Sequence, residues 1–180
     1  MKLKGDLVLP DDYAALIGRI VEAWAHFEFE VDVGIWRLMG TPDELAACVT
    51  SQLNSMHPRF YAFIALAQVS GANKRTVGKL KAFFGERVAG LGERRNRSAH
   101  DPRMVKKSDR QVSRLSISAR NAKVTFEYVP EPLESLAKTY NDIFQTVTDF
   151  LVLRNLVLNQ IAAKREASPL RFRGISQSYG

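Results

Sequence analysis

The chain has 180 residues, enough for one domain with a real core and short for two. Its apolar content of 46% and charged content of 25% are ordinary for a globular protein, and no repeat or low-complexity tract interrupts them. One cysteine excludes an intrachain disulfide framework, no apolar run approaches the roughly 18 residues that span a bilayer, and a net charge of +7 favours anionic partners.

Residues 1–10 read as an extended lead-in, with Leu7, Val8 and Leu9 available to pack and Pro10 punctuating. The stretch from Met1 to Asp6 lacks the apolar core of a secretory signal, and the single cysteine fits a reducing compartment, so the expected location is cytoplasmic, with no membrane partner. Asp11 or Asp12 can cap a long helix to about Met39, whose stripe is Ile17, Ile20, Val21, Trp24, Val31, Ile35 and Leu38. Glu28 falls where that stripe calls for an apolar residue. A carboxylate there either sits at the stripe's edge and reaches water or needs a cationic partner, because desolvating it alone is costly.

Gly40 ends this helix, and Thr41-Pro42-Asp43-Glu44 offers an N-cap, a proline and an acid for a second, shorter helix to about Leu53. Cys48, in the run Leu45-Ala46-Ala47-Cys48-Val49, reads as a packing residue. His57-Pro58 opens an aromatic helix carrying Phe60, Tyr61, Phe63, Ile64 and Leu66 that ends near Gly71. His26 and His57 have no companions at metal-ligand spacing, and no His/Cys/Asp/Glu cluster of metal-site type occurs, so neither a metal nor another cofactor is expected.

From Lys74 the pattern Val77, Leu80, Phe83, Phe84, Val88 and Leu91 predicts another helix, with a break expected near Gly85 or Gly90. It runs into Gly92-Glu93-Arg94-Arg95-Asn96-Arg97-Ser98-Ala99-His100-Asp101-Pro102. Pro102 disfavours the α conformation at Asp101, so the helix should end near His100. At about 100° per residue, Glu93, Asn96, Arg97 and His100 share an arc of roughly 100°, with Arg95 on another side. From Lys74 to Arg114 there are thirteen Lys or Arg against four Asp or Glu, half of the chain's 26 basic residues. Such a window supports polyanion binding. Histidine titrates near neutrality and moves protons, while the arginine fork suits phosphate oxygens.

After Pro102, Val112–Ile117 and Val124–Val129 alternate and predict a β-hairpin over about 111–129 that turns between Ser118 and Lys123. Pro130-Glu131-Pro132 precedes a final helix of about thirty residues, marked by Leu133, Leu136, Tyr140, Ile143, Phe144, Val147, Phe150, Leu151, Val157, Leu158 and Ile161. Arg154-Asn155 within it has no following histidine and reads as surface or core filler. Residues 165–180 lack periodicity and read as a basic, flexible tail. The expected fold is mainly α, a helical bundle with long first and last helices and a small β-hairpin insertion, in one domain over 1–164.

The segment Arg95-Asn96-Arg97-Ser98-Ala99-His100 resembles the Arg-x4-His motif of the HEPN superfamily (higher eukaryotes and prokaryotes nucleotide-binding), whose common form is Arg-Asn-x-x-x-His. The resemblance implies a metal-independent endoribonuclease, commonly a homodimer with facing motifs, in a toxin or phage-defence setting with a cognate antitoxin or operon partner. It makes His100 the general acid or base, Arg95 the group that stabilises the phosphorane, and Asn96 a phosphate ligand or the group that orients His100. Glu28 would hold Arg95, and Arg94 and Arg97 would bind the RNA backbone. A catalytically inactive HEPN-like module that binds RNA or protein is the alternative, and a nucleotide-modifying or nucleotide-binding partner subunit is another.

Overall fold

A computed structural model describes residues 5–6, 8–120 and 123–167. The protein is mainly helical with a small antiparallel sheet. Helix α1 spans Asp11–Met39, α2 Asp43–Thr50, α3 Met56–Val69, α4 Lys74–Phe83, α5 Ala89–His100 and α6 Leu133–Ala167. Strands β1 (Gly5–Asp6), β2 (Arg103–Lys106), β3 (Val112–Arg120) and β4 (Lys123–Pro130) form one sheet in the order β1-β2-β3-β4. The chain divides into two compact units, Met1–Phe27 with Arg87–Val147 and Glu28–Glu86 with Thr148–Gly180.

The long first and last helices match expectation. At about 1.5 Å per residue, the 35 residues of α6 extend about 52 Å. It continues to Ala167, past the expected boundary at 164; the remainder of the predicted tail lies outside the described residues. Helix α2 is shorter than predicted. Pro42 rather than Thr41 occupies the cap position, no side chain caps it, and the chain tightens after Thr50 into bonds from Gln52 N to Val49 O and Leu53 N to Thr50 O. Cys48 is exposed, not packed, and Val8 is exposed as well.

In the first unit, β3 and β4 pair from Ser113↔Pro130 to Arg120↔Lys123, close to the predicted span of 111–129, but Ser118–Arg120 and Lys123, expected in the turn, belong to the strands, and residues 121–122 lie outside the described residues. Two strands had no sequence forecast. Strand β2 pairs with β3 (Arg103↔Arg114, Val105↔Val112), and β1 pairs with β2. Four and two residues are too short to display a period of two. The buried residues here include Ile20, Trp24, Phe27, Leu91, Met104, Val105, Val112, Leu136 and Ile143. Phe27 is fully buried and supplies the apolar step between Trp24 and Val31. Glu28 therefore lies beside the stripe and is partly buried.

The second unit is organised around Phe60, whose ring lies 5.2–6.3 Å, centroid to centroid, from those of Phe63, Phe83, Phe84 and Phe150. Burying one such ring contributes about 1.5–3 kcal/mol. Gly34 lets Phe63 approach: a Cβ on Gly34 would stand 2.8 Å from Phe63 Cε2. Asn73 caps α4 by accepting from Thr76 N at 2.8 Å, and Gln160 of α6 donates to Thr76 Oγ1 at 2.9 Å. Arg154 is not filler. It pairs with Glu30 and also donates to the Glu30 carbonyl, and Arg59 pairs similarly with Asp32. Burial, the larger influence, raises the Asp32 pKa above the usual value despite Arg59.

Candidate functional site

The α-helical run from Lys74 is interrupted at Gly85, as expected, by a π-helical turn over Phe84–Val88 between α4 and α5. Helix α5 then presents Leu91, Arg95 and Ser98 within an arc of about 60°. Leu91 and Ser98 are buried, so Arg95 lies along the inward side and is partly buried. Gly92 lies against the Trp24 indole, where a Cβ would meet it at 3.3 Å.

The helix stops where Pro102 requires. Asp101 is extended, at φ −75° and ψ 129°, and its N–H donates to Arg97 O at 3.2 Å. The chain passes directly into β2, and Arg103 reaches back. Its Nη1 donates to Ser98 O at 2.8 Å and Asp101 O at 3.2 Å, satisfying carbonyls at the end of α5. Its Nε donates to Glu131 Oε2 at 2.6 Å. Arg114 of β3 pairs with Asp101 and lies 3.4 Å from Glu131 Oε1, and Tyr13 Oη donates to Glu131 O at 3.0 Å. Two arginines and two carboxylates thus balance in a cluster where the Arg103 side chain is only 4% exposed. Burial and the neighbouring Asp12, Glu134 and Glu131 charges raise the Tyr13 pKa.

The motif side chains divide by face. Asn96, Arg97 and His100 are exposed on the last turns of α5. Arg95 reaches around from the inward side, and its Nη1 donates to Asn96 Oδ1 at 3.1 Å, while its Nε is buried without a partner among the described residues. The predicted separation of Arg95 from the exposed arc is thus bridged by side-chain reach. Arg97 lies 3.8 Å from Glu93 in an exposed i,i+4 pair. Arg94 is engaged on α6, donating to Asp142 Oδ2 at 2.7 Å, and Lys138 shares that carboxylate at 3.1 Å. Desolvation is the largest single influence on Asp142 and acts upward, but the hydrogen bonds and charges of Arg94 and Lys138 together leave its pKa below the usual value.

Sequence reasoning missed Arg103, Arg114, Asp101 and Glu131, which hold the end of the motif helix against the sheet. The available signal was a pair of arginines set among apolar residues in short strands, where an unpaired charge would be costly. A cleft of about 390 Å³ in the second unit, lined by Arg37, Leu38, Arg154, Leu158 and Arg165 among others, contains none of the motif residues. Among the described residues no group of three or more His, Cys, Asp or Glu is placed to hold a metal ion, and no helix is long and apolar enough to cross a membrane. Comparison with protein-family models, curated proteins and solved structures finds no match to this chain.

Proposed function

We propose that this chain is a metal-independent endoribonuclease of HEPN type, a helical bundle acting as a homodimer, with its site on the last turns of α5. The observation that carries the reading is the arrangement of Arg95, Asn96 and His100. The Arg95 guanidinium is docked on the Asn96 carboxamide, one helical turn before an exposed imidazole at a fixed helix end. The RNA 2′-oxygen would attack the adjacent phosphorus while the bond to the 5′-oxygen breaks. The 2′-hydroxyl proton passes to one His100 imidazole, and the leaving 5′-oxygen takes a proton from another. The products are a 2′,3′-cyclic phosphate and a free 5′-hydroxyl.

Each chain supplies one His100, so the acid and the base come from the two copies of a dimer. Positioned proton transfer typically contributes about 10²–10⁴-fold. Arg95 supplies charge to the phosphorane oxygens, a role worth a few kcal/mol, on the order of 3, for a well-placed donor. Arg97 contacts the RNA backbone, whereas Arg94 is partly neutralised by Asp142 and contributes less.

The test compares wild type with His100→Ala and Arg95→Ala on mixed RNA in EDTA. The expected result is cleavage by wild type alone, with RNA affinity retained in His100→Ala. A folded wild-type protein that binds RNA and never cleaves it would instead be an inactive RNA-binding module, and cleavage surviving both substitutions would remove these residues from the reaction.

A further inference from the structure

Strand register sorts the β3–β4 hairpin into two unlike faces. Leu115↔Tyr128 and Ile117↔Phe126 pair directly and share one face with Val124, while Ser116↔Glu127 and Ser118↔Thr125 share the other. On the first face Ile117 is 56% exposed, Val124 55%, Phe126 57% and Tyr128 42%. Strand β2 covers β3 only from Val112 to Arg114, so the hairpin continues beyond it as two strands. A two-stranded hairpin is marginal in water without something packed on its apolar face.

We infer that this face is a stacking platform for the bases of single-stranded RNA, with Phe126 and Tyr128 each carrying one base. The inference rests on RNA being the substrate, and it names where nucleotides away from the scissile bond are held. Phe126 and Tyr128 are two residues apart on one face, hence about 6.8 Å along the strand. That is about twice the ~3.4 Å rise of a stacked nucleic-acid strand, so each ring accepts a base drawn out of the continuous stack. The paired positions of this face carry no carboxylate, because Glu127 lies on the opposite face. The β2–β3 turn at one end of the hairpin presents exposed Lys107 and Arg110, while Asp109 between them is paired with Lys106 at 3.0 Å. Aromatic rings on a face that carries no carboxylate, with a turn of net positive charge at the end of the hairpin, suit a polyanion that has flat bases.

The probe is a short fluorescein-labelled single-stranded RNA with 2′-O-methyl riboses, which cannot undergo 2′-hydroxyl attack, titrated with the full chain and read by anisotropy. Phe126→Leu and Tyr128→Leu keep apolar bulk on the strand and remove the ring. Each should weaken binding about 5- to 100-fold, the range for one stacked base, while Phe126→Trp retains affinity and thermal unfolding stays near wild type. Unchanged affinity in both leucine variants would overturn the platform and leave the catalytic reading intact. Loss of self-association without loss of RNA affinity would assign the face to a second copy of the chain and also overturn it. Wild-type binding that depends on Phe126 and Tyr128, in a protein that never cleaves unmodified RNA, would uphold the platform and reject the nuclease.

Discussion

Arg95 donates to the Oδ1 of its own neighbour, Asn96, at 3.1 Å, although the two side chains leave α5 on different sides. The bond takes the guanidinium from the inward face, where Leu91 and Ser98 are buried, to the exposed turn that carries His100. Arg95→Lys is therefore not conservative. A lysine keeps the charge but loses the planar fork, so RNA cleavage should fall about 10-fold or more, as for loss of a transition-state contact of at least ~1.4 kcal/mol. Circular dichroism should stay unchanged. Steady-state rates on a defined RNA check this, and a fully active Arg95→Lys enzyme would contradict it.

Arg103 is the tie between the motif helix and the sheet. Arg103→Met leaves Glu131 without its main partner and Ser98 O without its donor, in a region where the Arg103 side chain is 4% exposed. Breaking a buried pair from one side costs about 3–5 kcal/mol. Urea denaturation should show that loss. Arg103→Lys should recover only part of it, because one ammonium cannot serve Glu131 and both carbonyls in the same geometry.

Two glycines separate close packing from intrinsic helix propensity. Gly34→Ala places a methyl 2.8 Å from the Phe63 ring and should destabilise by about 1–3 kcal/mol. Gly78→Ala, in α4, meets nothing within 4 Å and should stabilise by about 0.5–1 kcal/mol. Thermal melts of the two variants should move in opposite directions.

The Asp142 pKa is depressed in the folded chain by Arg94 and Lys138, against the opposing influence of desolvation. Its contribution is fully present above the unfolded carboxylate value, about 3.9, and is lost as pH falls through the lower folded value. Wild type should therefore lose stability on acidification below about pH 4 more steeply than Asp142→Asn. The difference near neutrality should be no more than about 1 kcal/mol, since the partners are substantially exposed. Denaturation series across pH measure both slopes.

The helices were legible because burial imposes a period that side chains cannot hide: Ile20, Trp24, Val31, Ile35 and Leu38 are all buried on α1. The stop at His100 was legible because proline restricts its neighbour wherever it stands. Strands β1 and β2 were not, since two and four residues leave no pattern and the partner of β1 lies about a hundred residues away. Glu28 appeared misplaced only because Phe27, one residue away, was not counted in the stripe. The ion cluster of Asp101, Arg103, Arg114 and Glu131 was invisible because strand register and the return of the chain at Glu131 bring those charges together, and no local spacing encodes it. Asn96 and His100 could be placed on one helix face from sequence, whereas the turn of Arg95 toward them required its side-chain conformation.

The most direct test of the central claim is to identify the ends produced from a defined single-stranded RNA in EDTA, with His100→Ala purified in parallel. Wild type should give fragments ending in 2′,3′-cyclic phosphate and beginning with 5′-hydroxyl, and His100→Ala should leave the RNA intact. Fragments with 5′-phosphate ends, or equal cleavage by His100→Ala, would contradict it.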